Sequence, residues 1–90
     1  MKIRSVKKNN RRRAFEVGTW RQQFFFPYTK ADPSPTASDP VVETFVDEEL
    51  GREGFIYRLA SGREGSVHIE QVLEYNRDPA YMRNLLIYRL

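Results

Sequence analysis

Ninety residues, 40% of them apolar and 13% aromatic, suffice for one small domain with a modest core. No apolar run approaches the roughly 18 residues of a membrane-spanning helix, and the absence of cysteine excludes a disulfide framework, a thiol nucleophile and a thiolate metal site. The net charge of +3 is unevenly spread: residues 1–13 hold seven basic side chains and no acid, and the other residues hold eight basic against twelve acidic ones.

That front block comprises Lys2, Arg4, Lys7, Lys8, Arg11, Arg12 and Arg13. It reads as a patch that seeks phosphates or acids. A basic run alone is a low-specificity signal, so a solvated strand pair whose charges guard an exposed sheet edge is the preferred reading. The first apolar run is too short, and the basic residues run through it, so no export signal is expected and the chain reads as cytoplasmic.

In chain order, β-branched Ile3 and Val6 among charges predict a strand over 2–8. Asn9-Asn10 follows as a turn, because Asn tolerates left-handed backbone. Residues 14–19 alternate, with Phe15 and Val17 opposite Glu16, and Gly18-Thr19 marks a turn or bulge. The run Phe24-Phe25-Phe26 predicts a strand buried on both faces, with Pro27 placing its end at a sheet edge. Residues 29–40, with Pro33, Pro35 and Pro40, read as a spacer loop. A strand over 41–47 is expected to put Val42, Thr44 and Val46 on one face. Residues 48–52 connect it to a hairpin of 54–59 and 65–68 around Ala60-Ser61-Gly62-Arg63.

The period then changes. Ile69, Val72 and Leu73 predict a helix over 69–75. Asp78-Pro79 opens a second over 79–90, since Asp caps helices and Pro suits their first position. Its apolar stripe broadens through Leu86, Ile87 and Leu90 with no polar cap. That pattern calls for cover from a homodimer partner or a following domain, and the chain is expected to continue beyond Leu90.

Catalytic signals are weak. His68 has no partner spacing for a metal or a base, and Glu48, Glu49, Glu53 and Asp47 lack the alternation of a calcium loop. No strained serine elbow and no glycine-rich phosphate loop occurs. A non-enzyme with no catalytic residue, metal or cofactor is therefore expected. Aromatics beside arginines can stack nucleotide bases on a sheet. Core packing accounts for most of the phenylalanines, which leaves Trp20, with Arg21, as the stacking candidate.

The stretch Tyr-Arg-Leu-Ala-Ser-Gly-Arg-Glu-Gly-Ser-Val-His-Ile-Glu-Gln-Val-Leu over residues 57–73 resembles a small bacterial domain of unknown function. From the opening Met-Lys-Ile-Arg-Ser-Val-Lys to Glu-Tyr-Asn-Arg-Asp-Pro the chain is similar to the N-terminal part of bacterial transcriptional regulators. Those carry a helix-turn-helix domain behind it. The resemblance implies a cytoplasmic α+β accessory domain, with DNA reached through the parent protein, and the helix-turn-helix itself is not among these ninety residues. The expectation is thus one α+β domain over 1–90. It has an antiparallel sheet of five or six short strands, opening with a basic strand pair over 1–19, and two C-terminal helices. Lys7, Lys8, Arg11, Arg12, Arg13 and Arg21 are the candidate nucleic-acid contacts, and Leu86, Ile87 and Leu90 the candidate interaction surface. A protein-interaction or dimerisation module with no nucleic-acid role is the alternative.

Overall fold

A computed structural model describes residues 1–77. Its strands are β1 (Ile3–Asn9), β2 (Ala14–Thr19), β3 (Gln23–Pro27), β4 (Val41–Val46), β5 (Gly54–Leu59) and β6 (Glu64–His68), followed by the helix α1 (Ile69–Asn76). The architecture is α+β and antiparallel, as expected. The six strands do not form one sheet, however: β1-β2-β3 and β4-β5-β6 are separate three-stranded meanders. One helix, not two, is present among the described residues, and the expected helix over 79–90 lies outside them.

Alternation sets the inner faces. Phe15 and Val17 on β2 pair with Phe26 and Phe24 on β3, and all four are buried. Phe55, Tyr57 and Leu59 on β5 face them from the other sheet, and Val67, Ile69, Val72 and Leu73 complete one core. Phe15 joins the two layers, its ring centroid 4.7 Å from Tyr28, 5.0 Å from Phe55 and 4.9 Å from Tyr57. Truncating such a residue costs about 3–5 kcal/mol through lost burial and the cavity left behind.

The sheets meet along β1 and β4, which run side by side in opposite directions. Side chains bind this seam. Thr44 Oγ1 donates to the Val6 carbonyl (3.2 Å), Asn10 Nδ2 to Val41 (3.0 Å) and Lys8 Nζ to Val42 (3.3 Å). Arg52 closes one end: its carbonyl accepts the Ile3 amide (2.7 Å), and its guanidinium donates to the carbonyls of Ile3 (3.1 Å) and Arg4 (2.9 Å). At the opposite side α1 packs on both β3 and β6, so the strands curl around the core with the helix bridging the remaining gap.

Three local expectations are corrected. β3 is buried on one face only, because Phe25 points outward at 39% exposure while Phe24 and Phe26 point in. On β4 a register shift between Val41 and Glu43 turns Val42 out (47% exposed), and Val41 takes the core position with Thr44 and Val46 partly covered beside it. β1 continues through Asn9. The left-handed residue of the following turn is Arg13 (φ 57°), with Asn9 Oδ1 accepting the Arg12 amide at 3.0 Å.

Candidate functional site

The site is built on the outer face of the first sheet. Outward positions are set by the same alternation that fills the core: Ser5 and Lys7 on β1, Glu16 and Gly18 on β2, Gln23 and Phe25 on β3. Two arginines lie over aromatic rings at its ends. The Arg4 guanidinium sits 4.6 Å from the Trp20 ring centroid, and that of Arg12 5.7 Å from Phe25. Both separations are in cation–π range. Trp20 is 72% exposed, so Arg4 covers at most one face of the indole. A depression of about 440 Å³ lies between, lined by Arg4, Ser5, Lys7, Glu16, Gly18 and Gln23 among others.

Glu16 stands in the middle of this face. It accepts from Asn9 Nδ2 (3.1 Å) and Gln23 Nε2 (3.2 Å), so neutral amides and not basic side chains hold it. Around the corner, Arg11 and Arg13 line a second cleft of about 340 Å³ with Asn10, Tyr28 and Thr36. The Tyr28 hydroxyl donates to Asn10 Oδ1 at 2.9 Å. Burial raises its pKa, against the lowering pull of the Asn9 backbone and the Arg13 charge.

Charge separates the two sheets. Among the described residues, no basic side chain of residues 1–13 makes an ion pair. Three arginines of the second half are paired: Arg52 with Glu48, Arg58 with Glu43 (2.7 Å) and Glu64 (3.4 Å), Arg63 with Asp39 (3.8 Å). The positive end therefore keeps its charge for solvent or a ligand, whereas the acidic body pairs three of its arginines with its own carboxylates.

The candidate residues separate accordingly. Lys7 lies on the outer face, and Arg11, Arg12 and Arg13 form the tip of the β1–β2 hairpin. Lys8 turns the other way and uses its ammonium on the seam. Arg21 is exposed in the β2–β3 turn, where its amide donates to Thr19 Oγ1 (3.3 Å). Trp20, the stacking candidate from the sequence, is exposed, and the cation over its ring is Arg4. Leu86, Ile87 and Leu90 lie outside the described residues. His68 is the N-cap of α1: its Nδ1 accepts the Glu70 amide (3.1 Å) while Gln71 Oε1 accepts the His68 amide (2.8 Å). Among the described residues no group of three His, Asp or Glu side chains could hold a metal ion, and no helix is long and apolar enough to cross a membrane.

No protein-family model matches the chain, and it has no significant match among curated proteins or solved structures.

Proposed function

We propose that this chain is a non-catalytic binding module whose basic first sheet contacts nucleic-acid phosphates, as an accessory N-terminal domain of a bacterial DNA-binding regulator. One observation carries the reading: the basic side chains of β1 and its hairpin have no carboxylate partner among the described residues, in a protein that pairs Arg52, Arg58 and Arg63 elsewhere. Exposed cations beside a polyanion release condensed counterions, and this favours binding without reading sequence. Such contacts position a module and leave base recognition to a partner domain.

The test is a titration of duplex DNA against the full chain over a range of salt. Binding is expected to weaken with salt, by roughly 0.9 log unit per tenfold salt for each phosphate contacted. Lys7→Ala and Arg11→Ala are each expected to weaken binding about equally across sequences and to reduce that slope by about 1. Absence of binding at low salt, or affinity indifferent to salt, overturns the reading.

A protein-interaction role has a separate support. On the outer face of the second sheet Phe45 is 40% and Val42 47% exposed, close to the partly covered Ile56. Charged substitutions at Phe45 that abolish a concentration-dependent dimer in sedimentation would favour it.

A further inference from the structure

Phosphate contact alone leaves the aromatic side chains of the same face unexplained. This face exposes two large rings, and an aromatic face in water favours a planar or apolar cover. Trp20 follows the outward positions of β2, and Phe25 is the outward aromatic of β3, opposite Glu16. Their offset is therefore four residues along β2, roughly 13 Å at the usual rise of a strand. Each ring has against it an arginine with no carboxylate partner among the described residues, and Lys7 lies on β1 in the same cross-strand row as Glu16 and Phe25.

We infer that this face is a stacking platform for single-stranded nucleic acid, a deepening that rests on the phosphate-contact reading above. Bases stack on the open side of Trp20 and on Phe25. The backbone between them runs past Arg4, Lys7 and Arg12, whose charges it neutralises. The geometry disfavours a duplex, because paired bases already stack on one another and present no faces to a flat sheet. Glu16, held by the amides of Asn9 and Gln23, lies beside Phe25 on the neighbouring strand. Its carboxylate can accept from a base N–H, such as the N3–H of thymine or uracil, and Lys7 opposite it on β1 offsets its charge towards a phosphate.

Trp20 is the single tryptophan, so its emission reports the platform directly. The experiment titrates the full chain with oligo-dT and oligo-rU of roughly ten nucleotides, a length within the range of sites bound by such surfaces. Anisotropy of a labelled strand gives affinity, and tryptophan emission gives stacking. A duplex and poly-glutamate of equal charge serve as comparisons. Quenching of Trp20 by the single strands is expected, with affinity above that for the duplex. Trp20→Ala and Phe25→Leu should each weaken single-strand binding by about five- to a hundredfold and leave duplex binding within twofold. Both positions are exposed, so the variants are expected to fold, and far-UV circular dichroism checks this. The dT and rU arms distinguish DNA from RNA.

Equal affinity for duplex and single strand without quenching, weakened only by Lys7→Ala and Arg11→Ala, overturns the platform and leaves the phosphate reading standing. No binding to either at low salt overturns both. Poly-glutamate bound as tightly as the oligonucleotide marks a face for acidic protein and overturns the platform.

Discussion

The Tyr57 hydroxyl donates to the carbonyl of Pro33 at 2.7 Å, tying the innermost strand of the second sheet to the proline-rich loop. The ring is fully buried against Phe15, and Gly65 on β6 lies flat against it, where a Cβ would come within 2.8 Å of the ring Cε1. Desolvation is the main reason that the phenol's pKa is pushed up to about 12. The Asp32 carboxylate adds to the shift and the Arg63 guanidinium opposes it. The folded value lies above the unfolded value of about 10. The contribution from keeping the phenol neutral is therefore intact below pH 10 and is lost as pH rises through about 12. Tyr57→Phe is expected to cost about 0.5–1.5 kcal/mol at neutral pH through the lost hydrogen bond, and to flatten the alkaline fall in stability. Denaturant unfolding from pH 8 to 12 checks this, and parallel profiles for the two proteins would sink it.

Arg52 makes a second junction that a single substitution can test. It holds a left-handed backbone (φ 65°) while its guanidinium reaches the carbonyls of Ile3 and Arg4 and the carboxylate of Glu48. Arg52→Ala should cost about 1–3 kcal/mol, as two carbonyls at the end of the seam lose their donor. Arg52→Lys should recover only part, since an ammonium lacks the fork that spans both oxygens. Arg52→Gly loses the same bonds but relieves roughly 1 kcal/mol of left-handed strain, so it should be more stable than the alanine variant. The order of chemical midpoints reads all three, and an alanine variant as stable as the glycine one contradicts the strain argument.

The strands were legible in the sequence where a pattern of two sufficed. Alternation over Ala14–Thr19 and over Gly54–Leu59, and the turn at Gly62 (φ 95°), appear where residues alone placed them. The division into two sheets was not legible. The seam rests on pairs such as Val6 with Thr44 and Ile3 with Arg52, 38 and 49 residues apart, and no local period encodes those. Phe25 was misread because three consecutive phenylalanines look the same whether one face or two are covered. Of the basic candidates, Lys8 was drawn into the seam by the carbonyl of Val42, and Arg4 was overlooked because its aromatic partner, Trp20, lies on the neighbouring strand's far end. Antiparallel pairing of residues 3–9 with 14–19 could have supplied that signal, since it brings the start of β1 beside the end of β2.

His68 shows how a residue type associated with chemistry can serve structure. Its Nδ1 occupies the place that Ser or Asp takes at most helix starts, and Gln71 completes the reciprocal pair. His68→Ala is expected to cost about 1 kcal/mol, or roughly 4–8 °C in Tm for a domain of this size. His68→Asn should restore most of the loss, because its side-chain oxygen can accept the same amide. Thermal unfolding followed in the far ultraviolet measures both. An alanine variant melting with the wild type would show that the cap contributes nothing to stability.

Asp39 gives the opposite pH dependence from Tyr57. Its Oδ1 accepts the Ser61 amide and its Oδ2 the Ser61 hydroxyl, each at 2.8 Å, which joins the end of the proline-rich loop to the β5–β6 turn. The Ser61 amide is the largest cause of a lowered pKa. The Ser61 hydroxyl adds to it, desolvation opposes it, and the Arg63 charge lowers it by the least of the four effects. A folded value below the unfolded one means that the contribution is complete above the unfolded pKa, about 3.9, and disappears as pH falls through the lower folded value. Asp39→Asn removes the charge, and its amide nitrogen cannot accept from the Ser61 hydroxyl. The wild type should therefore exceed the variant in stability at pH 6, and the gap should close as the pH is taken towards 2. Urea unfolding across that range measures the gap, and a difference that stays constant down to pH 2 would show that the carboxylate charge plays no part in holding the loop.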